Sequence, residues 1–378
     1  MFAVGVLLVL LSGSLAFGAY WSSGWAAAHG MNPYAAYPLT GRSQIFFNGQ
    51  LQTIEDINLN PPCLLPLLQA MSHLTVTQFG IAWTIGSVLL LIGSIGLLLR
   101  HRPSMQMRQV LWLALAAPVY DTIVCGQIYF LLLFLSALAW ICAETKRELA
   151  SSIALGFLVA IKPTTAFWPL FLFLAGRRKL ALRSACVTVA ASAIPLAIYG
   201  PIVYRQWIDV IRNDRHWIIP TNIAIPAYFA RLGLRDVGLG VAAIIAAWLG
   251  YVVWKTRPNI TTISGIALCA MILCAPLAWY DYALMLTPVF VSSRWGKLET
   301  AAAVLLMLPP SSVAVFRLYD IGGAHTVAGL EAFLAVWVIL IFFLRQIAIT
   351  RQAPAIPVLE DRKRSIRNPS AGEQVGVG

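Results

Sequence analysis

Charge is what this chain has least of. Asp, Glu, Lys and Arg make up 11% of its 378 residues, while 59% are hydrophobic. Soluble domains carry about a quarter charged residues, so a fold solvated by water alone is excluded and most of the surface must face lipid. Acids are the scarcer sign, 15 against 27 bases, and the net charge is +12. No nucleic-acid partner follows from that excess. A positive bias on the inner side of a membrane and anionic headgroups account for it. Cysteine is also sparse, at positions 63, 125, 142, 186, 269 and 274, with no C-x-x-C pair. These read as small packing residues, not as a disulfide framework or metal site, and no metal or other cofactor is expected. No internal repeat is visible, which argues against a transporter of two related halves. An ion channel would need a repeated polar ring, which is also missing.

What is present is a series of apolar segments, near 2–19, 78–99, 109–126, 127–143, 149–161, 164–176, 182–200, 237–254, 261–278, 280–293, 298–316 and 326–344. About 20 apolar residues cross a bilayer as a helix, and only helices or closed barrels satisfy their backbone in lipid. Runs this long and continuous are helical. The expected fold class is an all-α polytopic membrane protein with about 10–12 transmembrane helices. Segments 149–161 and 164–176 are short and predict a partial hairpin closed at Lys162-Pro163. Segment 2–19 lacks a basic start, which favours a retained helix over a signal peptide. Residues 1–350 read as one transmembrane domain and 351–378 as a disordered cytoplasmic tail.

With the N-terminus in the cytoplasm, nineteen of the 27 bases fall inside. The eight outside are Arg42, Lys162, Arg205, Arg212, Arg215, Arg231, Arg235 and Arg317. The positive-inside rule therefore predicts both termini inside. Two long segments, 20–77 and 201–236, fall outside and are rich in aromatic residues. Asp121, in PVYDTIVCGQ, and Asp281, in PLAWYDYALM, interrupt helix ends. Each is a functional candidate or simply an acid facing water. In IEDINLNPP, Glu55 and Asp56 are the only carboxylates of the first outer segment. Asn58, Asn60 and two prolines there predict a rigid hydrogen-bonding turn, suited to sugar hydroxyls or simply to re-entry. Lys162 follows the run SIALGFLVAI, where a lysine costs about 2.5–3.5 kcal/mol unless it snorkels or is paired. It either binds a lipid phosphate or snorkels. Gln127, after Gly126, offers an amide at the outer rim.

Taken in order, YWSSGWAAAHGMNPY at 20–34, NLNPP at 58–62, GQIYFLLLFL at 126–135, AIKPTTAFWP at 160–169, TNIAIPAYFARL at 221–232 and APLAWYDYALML at 275–286 resemble glycosyltransferase family 87. This is a GT-C type, mannosyltransferase-like family of membrane proteins. The resemblance implies a GT-C-like bundle in a bacterial inner membrane, with its cleft toward the periplasm. It implies a polyprenyl-phosphate sugar donor, mannose or another hexose, and inverting transfer to a glycolipid or glycan acceptor. The family's usual aspartate shortly before the Tyr-Trp pair is replaced here by Ala16. The expected base is therefore Asp56, then Asp121. Lys162, Arg205 and Arg215 would meet the leaving phosphate. Tyr34, Asn58, Asn60, Gln127, Asn222, Trp279 and Asp281 would hold sugars. The alternative is a non-enzymatic binder or transporter of lipid-linked sugars on the same fold. In an enzyme, Asp56 and Lys162 should line one cleft.

Overall fold

The computed structural model describes residues 15–47, 50–219, 221–308 and 329–352. Most of segment 2–19, the tail from 353 onward, Arg317 and Asp320 lie outside these residues. In chain order the elements begin with α1 (Leu15–Ala28), a hairpin of β1 (Gly41–Phe47) and β2 (Gln50–Asp56), and α2 (Leu65–Met71). Then come α3 (Val76–His101), α4 (Met107–Leu115), α5 (Ala117–Cys125), α6 (Tyr129–Glu144), α7 (Glu148–Ile161), α8 (Phe167–Leu174) and α9 (Arg178–Tyr199). The rest are α10 (Ile202–Asn213), α11 (Ile225–Arg231), α12 (Arg235–Thr256), α13 (Ile260–Cys274), α14 (Ala283–Val291), α15 (Lys297–Leu305) and α16 (Leu330–Gln352).

The protein is an all-α polytopic membrane protein. Four helices, Val76–His101, Arg178–Tyr199, Arg235–Thr256 and Leu330–Ile349, are long and apolar enough to cross a bilayer. Their flanks are bare: Leu89 is 61% exposed and Ile244 is 71% exposed. Apolar side chains that stay exposed along a whole helix have lipid as their solvent. At the centre stands α13, buried from Thr262 through Cys274. A helix that is apolar all round belongs in an interior, and α6, α8, α12, α14 and α16 pack around this one.

Local chemistry sets the ends. Thr75 opens α3 by accepting the Gln78 amide N–H at 3.3 Å, and the Gln78 side chain accepts the Thr75 N–H at 3.1 Å. This is a capping box. The apolar stretch 109–126 is not one helix. Pro118 sits in the first turn of α5 and Ala116 is extended, so α4 stops and α5 restarts. The Ala117 N–H freed at the break donates to the Leu306 carbonyl at 2.9 Å.

Helices α7 and α9 run parallel. The Ser152 hydroxyl donates to Leu180 O at 3.3 Å, and the Thr188 hydroxyl donates to Gly156 O at 3.0 Å. The chain must turn back between them, and it does so at Lys162-Pro163. The Lys162 carbonyl accepts both the N–H and the hydroxyl of Thr165, at 2.9 and 2.7 Å. Lys162 thus lies at the end of the bundle where α9 finishes and α10 begins. At that end the two long loop segments pack into one layer. Tyr34, Leu65 and Val203 share a small core, and Ile54 packs on Ile218. The Trp207 indole N–H donates to Leu59 O at 3.1 Å. The β-hairpin in this layer was not anticipated from the sequence.

Candidate active site

The Asn-Leu-Asn-Pro-Pro turn is the centre of a buried hydrogen-bond network. Asn58 Oδ1 accepts the Asn60 backbone N–H at 3.0 Å and the Asn60 amide at 3.1 Å. Prolines 61 and 62 hold the turn, and both asparagines are buried. The second Asn60 amide hydrogen points to the Tyr20 hydroxyl at 3.4 Å. Tyr20 in turn donates to Gln127 Oε1 at 2.8 Å. Gln127 is aimed by Gly126, which ends α5 in the left-handed conformation at φ +65° that glycine adopts without penalty. Asn60 Oδ1 remains, and it accepts the Lys162 ammonium at 3.2 Å. That ammonium also lies 5.1 Å from the centre of the Tyr282 ring, a cation–π distance. Four separate sequence stretches therefore meet around one buried lysine, 7% exposed.

Beside it is a histidine held between carboxylates. Asp214 Oδ1 caps the turn by accepting the His216 N–H at 3.0 Å, and it also pairs with His216 Nδ1. On the other side His216 Nε2 faces Asp56 Oδ1 at 3.5 Å. The imidazole is 5% exposed and meets the Trp279 ring edge to face at 5.9 Å. Burial alone would lower the His216 pKa. The hydrogen bonds and charges of Asp214 and Asp56 outweigh it and raise the group to about 9. At neutral pH this is an imidazolium between two carboxylates. Asp214 also lies within electrostatic reach of Lys162.

A further carboxyl pair lies near Tyr280 and Cys125. Asp121 and Asp281 interact with each other and with Tyr280. Asp281 is 4% exposed, and its Oδ1 has no hydrogen-bond partner among the described residues. Asp121, Asp281 and Asp56 are all close enough to Cys125 to act on it electrostatically.

Not every candidate joins this cluster. Tyr34 is 1% exposed in the small loop core. Asn222 is fully buried, and its side chain ties two backbones together. Its Oδ1 accepts from Ala224 N at 3.2 Å and Ala278 N at 3.0 Å, and its amide donates toward Pro276 O at 3.4 Å. Trp279 pairs with Asn222 across an isolated backbone bridge. Arg205 is exposed on α10. Arg215 lines, with Glu55, an adjoining cavity that reaches Asp214 and His216. His216 and Asp214 are not singled out by the sequence, because an Asp that caps a loop turn carries no mark of the ring it will also hold.

The fold and this cluster together define a polytopic membrane protein with buried ionisable groups gathered where its long loops meet the helices. Over residues 58–288 the sequence matches glycosyltransferase family 87. The chain belongs to that family and is a membrane glycosyltransferase, which decides for an enzyme over a binder. No curated protein and no solved structure gives a match.

Proposed function

We propose that this enzyme transfers a hexose, mannose in the first instance, from a polyprenyl-phosphate donor to a glycolipid or glycan acceptor, with inversion. The observation that carries the reading is the buried lysine next to a carboxylate–imidazolium–carboxylate row. In an inverting displacement the acceptor oxygen forms its bond to the anomeric carbon as the bond to the phosphate oxygen breaks. The bonding pair leaves with the phosphate, and the hydroxyl proton goes to a base. Lys162 suits the phosphate, because a desolvated cation stabilises charge developing on a leaving oxygen. Asp56 suits the proton: it stands at the end of β2, partly exposed, with His216 Nε2 at 3.5 Å to hold its carboxylate in place. The cleft would open to the periplasm and the lipid tail would lie along the exposed helix flanks.

The test is Asp56→Asn. Asn keeps the shape and a hydrogen-bonding oxygen but accepts no proton at working pH. Turnover of polyprenyl-phosphate mannose should fall about 10²–10⁴-fold, with donor affinity unchanged. Asp121→Asn and Glu55→Gln belong beside it. Full activity in Asp56→Asn together with a dead Asp121→Asn would move the base to the carboxyl pair.

A further inference from the structure

The donor chemistry leaves one polar cavity unused. It lies between the β-hairpin and α10 and holds about 540 Å³, within the range of about 300–1,000 Å³ common for small-molecule sites. Its walls carry Asn32, Arg42, Glu55, Gln206, Asp209 and Asn213. Asn213 donates one amide hydrogen to the Asp209 carbonyl at 2.9 Å, and Asn32 Oδ1 accepts the Tyr34 N–H at 2.9 Å. The amide oxygen of Asn213 and the amide hydrogens of Asn32 are thereby kept for other partners. Arg42 and Glu55 pair loosely at 3.6 Å, both substantially exposed.

The charges on these walls cancel. Arg42, Arg215 and the His216 imidazolium oppose Glu55, Asp209 and Asp214. An anionic ligand would gain no net attraction, and an apolar one would strip water from amides and carboxylates without replacing it. Alternating donors and acceptors with no net field suit a neutral ligand dense in hydroxyls. The cavity reaches His216, and His216 touches Asp56. We infer that this cavity is a saccharide subsite that presents a hydroxyl of the acceptor toward Asp56. The inference rests on the transferase reading only for the role of Asp56.

The experiment is saturation-transfer NMR on the full chain, in a detergent without a sugar headgroup and with no donor present. The probes are methyl α-mannoside, methyl β-glucoside and maltotriose. At least one should bind, and Gln206→Ala/Asn213→Ala should weaken it about tenfold or more, the scale of two lost hydrogen bonds. Gln206→Ala alone serves if the double variant fails to fold, with a smaller loss in the same direction. Absence of binding by every probe, or binding unchanged in the variants, overturns the subsite. Donor turnover without saccharide binding sinks this inference alone. Saccharide binding without donor turnover upholds the subsite and sinks the transferase mechanism instead.

Discussion

Lys162 touches a neutral amide and an aromatic face and feels Asp214 only at longer range, so no carboxylate among the described residues pairs with it directly. An anionic group on a ligand would supply that partner. Lys162→Met should therefore weaken the binding of polyprenyl phosphate alone by about 10–100-fold, the worth of a hydrogen bond to a charged group. The melting temperature should hold or rise, because methionine fills the site without a buried charge. Normal affinity in the variant would reduce Lys162 to a snorkelling residue. His216 gives a second prediction. Its folded pKa, about 9, lies above the ordinary 6.5. Its stabilisation is therefore fully present below about pH 6.5 and is lost as pH rises through about 9. At 1.36 kcal/mol per pH unit the whole effect is about 3 kcal/mol. The melting temperature of the parent should fall between these pH values, and that fall should shrink in His216→Gln. Equal slopes in both proteins would contradict the assignment. Lys162, Asp56 and Asn60 stand out in the sequence because each is chemically out of place beside an apolar run or a proline pair. His216 and Asp214 do not, since a polar residue in a polar loop looks like any other. Only folding brings His216 to Asp56, from the middle of the chain's other long outer segment.

Elements in this bundle approach closely where a side chain is missing. Gly265 on α13 has the ring of Phe343 on α16 lying against it, and a Cβ there would come within 2.2 Å of that ring. Gly265→Ala should destabilise the protein by about 1–3 kcal/mol, the usual scale of overpacking. Phe343→Leu should restore part of the loss when the two are combined, although alone it opens a cavity. Thermal unfolding in detergent reads the cycle, and strictly additive losses would show that the ring is not the obstacle. Such contacts cannot be read from composition, since glycines are common throughout apolar segments. Helix existence was legible because apolar run length sets it. Helix continuity was less so, as the break ahead of Pro118 shows, because a proline in a first turn and one inside a helix look alike in sequence. The Lys162-Pro163 turn was read correctly because two runs too short to be separate long spans flank a helix-breaking pair. The hairpin was missed despite an Asn48-Gly49 pair between two strand-length runs, a strong hairpin signal. The surrounding aromatic, polar mixture read as loop.

At the scale of the whole molecule the two ends of the bundle differ in charge. At one end Lys162 and the loop layer gather most of the carboxylates considered above. At the other, Arg147 precedes α7, Arg177 precedes α9, and Arg178 and Lys179 open α9. There Glu144 takes His101 and Arg102 at 2.6 Å each and accepts Thr261 at 3.2 Å, tying the ends of α3 and α6 to the start of α13. The Ser151 hydroxyl donates to Ala139 O at 2.8 Å, which makes α6 and α7 antiparallel neighbours and puts their connection at this basic end. Basic connections stay in the cytoplasm during insertion, so the loop layer, and the cleft with it, should face outward. The prediction is tested in a background with all six cysteines replaced. An engineered Ser43→Cys, in the hairpin, should react with a membrane-impermeant maleimide added outside intact cells. Ser104→Cys, between α3 and α4, should react only once the membrane is opened. The reverse pattern would place the cleft in the cytoplasm. A lipid-phosphate donor would then have to be presented on the inner leaflet, where water-soluble nucleotide sugars compete as donors, and the case for a polyprenyl carrier would lose its topological support.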